Sequence, residues 1–247
     1  MKGPLTYFLI FLALTGCQKE DKLTFESVIL RNDICADCPE ISISIPRAIE
    51  NSRAAHSINS VLEEEIIALL HFDEDTEISN LDDALLSFTN GFTEIKNLYS
   101  EETTPWEAKI EGKVVYEDKE ILTLLLDSYI FTGGAHGYSA KRFLNFDKNK
   151  GIALENWELF QNRKGFQLFA EAKFREQEAI PAEASINYTG FMFEKDRFYL
   201  PENIGYTNEG VKLLYNPYEV ASYADGAIVL TLPFKEVAPF LASKNKS

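Results

Sequence analysis

Two periods of apolar residues run along this chain. Leu23, Phe25, Val28 and Leu30 alternate weakly and predict a first strand. Ile41-Ser-Ile-Ser-Ile45 alternates strictly, and Pro46 is expected to end that strand. The period then changes to that of a helix. Ile49, Ala54, Ile58, Val61, Leu62, Ile66, Leu69 and Leu70 share one face of a helix within residues 48–72, and Leu81, Leu85, Phe88, Phe92, Ile95 and Leu98 do so within 79–99. Gly91 weakens the second helix locally. After Pro105 the alternation returns over residues 106–116, and residues 121–130 read as a buried strand with Leu122, Leu124 and Leu126 on one face.

The middle of the chain is a hairpin pattern. An apolar run reaches Phe131, breaks at Gly133, Gly134 and Gly137, and resumes as an alternating strand from Lys141 to Asp147. A turn at Asn149-Lys-Gly151 leads to a helical turn at Trp157-Glu-Leu-Phe160. A helix with Phe166, Phe169, Ala170 and Phe174 on one side is predicted to end at Gln177. Residues 191–200 are aromatic and predicted extended, residues 211–215 and 227–233 read as strands, and residues 236–241 as a short terminal helix. Strands and helices are segregated and most strands can pair through short turns. The pattern therefore predicts an α+β fold of mainly antiparallel sheets with helices packed on one side. It divides into two consecutive subdomains, residues 40–138 and 139–247.

Charge narrows the partners. The 247 residues carry 39 acidic and 24 basic side chains, for a net charge of -15. Such a chain is repelled by phosphate backbones, which argues against nucleic acid as a partner and permits a cationic protein. At the N-terminus, Lys2 precedes the apolar stretch Leu5–Ala13, and Leu14-Thr-Gly-Cys17 follows. That segment has the form of an export signal, residues 1–16, too short to span a membrane once mature. Small residues directly before a cysteine resemble the lipobox of bacterial lipoproteins, which implies lipidation at Cys17. Residues 17–39 then hold the lipidated cysteine, a tether and the first strand. Residues 18–22 either resemble the surface-export tag of Bacteroidetes lipoproteins or form a solvated tether. The expected location is the outer membrane of a Gram-negative bacterium, on its periplasmic or surface side, through the lipid alone.

Candidate chemistry is sparse. Cys35 and Cys38 are close enough for a small disulfide clip in an exported protein, with a redox pair, a metal site or free thiols as alternatives. Histidine occurs only at positions 56, 71 and 136, without the pairing a zinc hydrolase needs. Ser139 follows Gly137, but Lys141 stands where a nucleophile elbow needs its second glycine, and no glycine loop has phosphate-binding spacing. No cofactor, metal or catalytic residue is assigned. Many carboxylates leave a glycosidase open without specifying it. His136, between glycines in the hairpin, either binds a ligand or caps the hairpin by bonding backbone carbonyls. Phe191, Phe193, Phe198 and Tyr199 form either a sugar-stacking surface or part of the core.

Several motifs in series carry a resemblance. They are Tyr129-x-Phe-Thr-Gly-Gly-Ala-His-Gly137, Leu144-Asn-Phe-Asp147 with Gly151, Trp157-Glu-Leu-Phe160, Phe198-x-Leu-Pro-Glu-Asn203, Tyr215-Asn-Pro-Tyr-Glu219 and Leu230-Thr-Leu-Pro-Phe234. They resemble the pair of extracytoplasmic domains of unknown function at the C-terminal ends of the anti-sigma factor RsiV and the peptidoglycan deacetylase PdaC. The resemblance covers about residues 40–240 and is strongest from Tyr129 onward. RsiV-like proteins bind lysozyme through this region, but their membrane span and sigma-binding segment have no counterpart here. Nor does the separate metal-dependent catalytic domain of PdaC-like enzymes. The resemblance thus implies a non-catalytic envelope-binding module for a lysozyme-type muramidase or for peptidoglycan. Its alternatives are a cell-wall glycan hydrolase and a structural part of a surface complex. Tyr129, Thr132, Gly133, Gly134, His136 and Tyr138 are the candidate ligand contacts.

Overall fold

The structure is a computed structural model that describes residues 22–31, 38–72, 76–99 and 104–242. The export signal, Cys17, the adjoining residues 18–21 and Cys35 lie outside the described residues. A six-stranded sheet is ordered β1 (Phe25–Arg31), β2 (Glu40–Ala48), β3 (Glu107–Glu117), β4 (Ile121–Phe131), β5 (Tyr138–Asp147) and β6 (Ile152–Leu154). A second sheet holds β7 (Asn203–Thr207), β8 (Gly210–Tyr215) and β9 (Ile228–Leu232). Every pairing is antiparallel except β2 with β3. A parallel pair cannot be closed by a tight turn, and here the crossover is made by α1 (Arg53–Leu70) and α2 (Leu81–Leu98). The fold is α+β, as the apolar periods predict.

Local sequence starts both helices. Ser52 accepts a hydrogen bond from the Ala55 N–H at 3.1 Å, and Asn80 accepts one from the Asp83 N–H at 2.9 Å. Asp82 and Asp83 add negative charge to the first turn of α2. The buried stripe of α1, including Ile58, Leu62 and Ile66, packs with Phe88 and Phe92 of α2 on one face of the large sheet. That face presents Ile41, Ile43, Ile110, Leu122, Leu124 and Leu126. Trp106 closes this core among Phe72, Phe88 and Phe92.

The other face of the large sheet meets the small sheet. Ile121 of β4 belongs to a second core, with Phe166 and Phe174 of α3 (Arg163–Gln177) and Ile204, Leu213 and Leu230 of the small sheet. Asn145 is buried between the sheets, accepting from the Thr123 hydroxyl at 2.9 Å and donating to the Ile204 carbonyl at 2.8 Å. The approach is close at Gly205, where a Cβ would fall 2.4 Å from the Phe143 ring. Tyr116 packs against Tyr206 and against Phe234 of α4 (Phe234–Val237).

Four expectations change. Pro46 does not end β2, which runs on to Ala48 beside β1. Its pairing with β3 stops at Ser44, so a residue without an N–H breaks no ladder bond there. Residues 191–200 contain no strand; a 3-10 turn occupies Glu194–Asp196, with Lys195 and Asp196 at φ 56° and 53°. Their aromatic rings are inserted one by one into the second core instead of alternating across a sheet. Phe193 and Phe198 are buried and Phe191 and Tyr199 partly so, which makes the cluster core and not a sugar-stacking surface. Finally, β5 starts at Tyr138, three residues before the expected Lys141. The dividing point expected at residue 138/139 therefore falls at the start of β5, inside the six-stranded sheet.

Candidate functional site

Six residues, 132–137, join β4 to β5, with Gly133 and Gly134 at φ 97° and 86°. Those positive values are why glycine stands there. Gly137 answers a different need. A Cβ on it would lie 2.5 Å from the Tyr129 ring, so the ring packs flush beneath the returning backbone. Tyr129 is thus a buttress of the hairpin. Thr132, Gly133 and Gly134 form its tip, with Gly133 facing the indole nitrogen of Trp106.

His136 and Tyr138 lead elsewhere, to the segment that follows β8. His136 Nδ1 lies 2.9 Å from the Gly137 carbonyl oxygen, which makes Nδ1 the protonated nitrogen. The same carbonyl accepts from the Tyr223 hydroxyl at 3.1 Å. The His136 ring stacks on Tyr223 at 4.4 Å, and Tyr223 stacks on Tyr218 at 5.5 Å. Tyr138 donates to the Pro217 carbonyl at 3.2 Å. Asn216 completes the joint. Its side chain accepts from the Lys141 N–H at 2.8 Å and donates to the Lys141 carbonyl at 3.0 Å. An amide side chain there satisfies both backbone groups of Lys141 on an edge of β5 that β6 does not reach. Lys141 also pairs with Asp127 across the hairpin.

The turn itself is held from within. Glu219 accepts the Asn216 N–H at 2.9 Å, and the Glu219 carbonyl accepts from the Tyr199 hydroxyl at 3.1 Å. Tyr218 takes φ 71° between them, leaving its ring 57% exposed, and Tyr138 is 42% exposed. Burial pushes the Glu219 carboxyl above the ordinary range, opposed by the Asn216 N–H. Burial and the Glu219 charge raise Tyr138. Tyr138, Tyr199, Tyr218, Glu202 and Glu219 line an open groove of about 720 Å³.

Arg163, Leu200, Glu202 and Asn203 also belong to a second concavity, a cleft of about 470 Å³ where the two sheets meet. There Glu65 of α1 bonds Arg142 of β5 at 3.1 Å, and burial raises the Glu65 carboxyl against the pull of that guanidinium. Among the described residues no three His, Cys, Asp or Glu side chains group to hold a metal ion, and no helix is long and apolar enough to cross a membrane. Cys38 is disulfide-bonded.

Sequence reasoning selected one side of this joint. Tyr218, Tyr223, Asn216 and Glu219 are its other side; the Asn-Pro-Tyr-Glu219 motif is a signal for all of them but Tyr223, which no motif marks.

Two family models match successive parts of the chain. Residues 35–139 match the family model "Deacetylase PdaC", and residues 158–235 match "Protein of unknown function (DUF3298)". Both parts of the chain thus match PdaC/DUF3298-like domains. The chain is 24% identical over 134 residues to peptidoglycan-N-acetylmuramic acid deacetylase PdaC of Bacillus subtilis (strain 168). That match takes in 52% of this chain and only 28% of the relative. Two crystal structures of DUF3298 family proteins share the PdaC/DUF3298-like fold. One, from Pseudomonas aeruginosa PAO1, has a TM-score of 0.64 at 17% identity, covering 91% of this chain and 97% of that one. The other, from Bacteroides fragilis NCTC 9343, has 0.67 at 19% identity, covering 90% and 94%.

Proposed function

We propose that this chain is a non-catalytic, extracytoplasmic binding module of the bacterial cell envelope, tethered by lipid at Cys17. Its contact face is the joint between the glycine hairpin and the 216–223 turn. The observation that carries this reading is the stack of His136, Tyr223 and Tyr218. These rings come from segments more than 80 residues apart, and side-chain bonds to backbone hold them. Rigid tyrosines left at the surface lose little entropy on contact and are typical interface anchors.

The ligand is a lysozyme-type muramidase. The net charge of -15 favours encounter with a cationic protein, and Glu202 and Glu219 lie in the groove beside the tyrosines. Peptidoglycan itself is the second reading, favoured by the relative named as a peptidoglycan deacetylase. Calorimetric titration with a c-type lysozyme, at low and at physiological salt, separates the two. Saturable heat that persists at physiological salt supports the first, and heat that vanishes with salt removes it. Tyr218→Ala then weakens binding at least about tenfold while leaving the melting temperature unchanged, as for an exposed aromatic anchor. Release of reducing ends from peptidoglycan by the pure protein would overturn the non-catalytic reading.

A further inference from the structure

We infer that the cleft between the sheets is a second binding site, and that it takes a short glycan of N-acetylated hexosamines. It goes beyond the tyrosine joint, with whose groove it shares Arg163, Leu200, Glu202 and Asn203. Trp157 lines it and is 54% exposed although an indole is among the most favourable groups to bury. The ring is not placed there by fraying. It sits on a 3-10 turn (Asn156–Leu159) whose flanks are anchored, by Leu159 in the second core and by the Glu155 N–H donating to Glu158 at 2.9 Å.

Along the same cleft, polar side chains keep unused bonding capacity. Among the described residues, no hydrogen bond or ion pair engages the side chains of Arg163, Glu202 or Asn203. Asn156 receives one bond on its carbonyl oxygen, from Asn145 at 3.3 Å, and its own amide N–H groups have no acceptor among the described residues. The Glu65–Arg142 pair, in the same lining, offers both an acceptor and donors. The cleft, at about 470 Å³, lies within the range of small-ligand sites.

The lining thus combines an exposed indole with groups that both donate and accept. A pyranose matches it, since one face carries polarised C–H bonds that pack on an aromatic ring and its rim carries hydroxyls. The two carboxamides add a preference for an acetamido group, whose N–H and C=O they can pair. Val61 and Leu154 supply an apolar wall for its methyl. A phosphate ligand is opposed by Glu65, Glu155 and Glu202 on the same walls and by the charge of the whole chain.

The chain provides its own reporter. It has two tryptophans, and Trp106 is only 1% exposed, so a ligand in the cleft changes the emission of Trp157 alone. Titration of the full chain with chitotetraose, with a peptidoglycan disaccharide and with cellotetraose should give a saturable blue shift and protection from acrylamide quenching with the first two. Trp157→Phe should abolish the signal, leaving binding to be followed by calorimetry. Trp157→Ala and Asn203→Ala should each weaken that binding by about tenfold or more, as for loss of a central contact. Trp157→Ala should leave lysozyme binding by the tyrosine joint unaltered, since Trp157, unlike Asn203, does not line the groove beside the tyrosines. A response to chitotetraose without the peptidoglycan fragment keeps the sugar class and removes the cell-wall source. An equal response to cellotetraose overturns the acetamido assignment. No response to any of the three, with the protein folded by circular dichroism, overturns the site even if lysozyme binds.

Discussion

The two cores of this protein are built from different materials. The first, between α1, α2 and the large sheet, is mainly aliphatic, closed by Trp106 among three phenylalanines. The second, between α3 and the small sheet, is dominated by rings: Phe174 alone meets Phe191, Phe193, Phe198 and Tyr215. Aliphatic side chains on regular elements leave a period that can be read. The ring-rich core recruits a loop, and a loop has backbone groups that no ladder satisfies. Side chains do that work instead. Asn187 donates to the Phe193 carbonyl at 2.9 Å and accepts from its N–H at 2.7 Å. Arg175 reaches the carbonyl of Ala184 at 3.0 Å, and Tyr215 donates to that of Tyr199 at 2.6 Å. One core is held by its faces, the other by its faces and a set of polar ties.

The strongest test of that contrast is Trp106→Ala. Emptying the centre of the first core should cost about 3–5 kcal/mol, read by thermal unfolding. Because Asn145 and Ile121 join the two cores, unfolding should remain a single transition. Two separated transitions would make the cores independent and break the comparison as drawn. Next is Asn187→Ala, expected to cost about 1–3 kcal/mol by stranding the backbone groups of Phe193. A negligible cost would mean that the rings alone hold the loop.

Asn216→Ala should cost less, about 1–2 kcal/mol, because part of the exposed edge at Lys141 can be taken up by water. It should also lower lysozyme affinity if the joint must be rigid to bind. The smallest change expected is Glu219→Gln. Burial raises the folded carboxyl above its ordinary 4.5, so its contribution to stability is complete below that value and is lost as pH rises through the raised one. The glutamine variant should therefore be slightly more stable than the parent at neutral pH and equal to it in acid, by melting at several pH values. A less stable variant at neutral pH would show that the carboxylate charge is needed by the Asn216 N–H.

Apolar spacing alone was enough for α1, α2 and α3, for the two strands of the central hairpin and for the α+β class. A helix face or a strand face is a property of neighbouring residues, and burial rewards it whatever the rest of the chain does. The Pro46 continuation, the looped course of residues 191–200 and the short β6 were invisible to it. Each depends on what lies alongside: where β3 stops pairing, which pocket a ring enters, which edge is still open. The same holds for the candidate sites. His136 and Tyr138 were marked by their hairpin, but their meeting with Tyr218 and Tyr223 joins segments 79 and 86 residues apart. Trp157 reads in one dimension as an ordinary helical turn. Its exposure arises only because Leu159, two residues on, is drawn into the core and the two sheets stop short of covering the indole. Local pattern carries the elements because their energetics are local, while a site made where elements converge exists only once long-range contacts have formed.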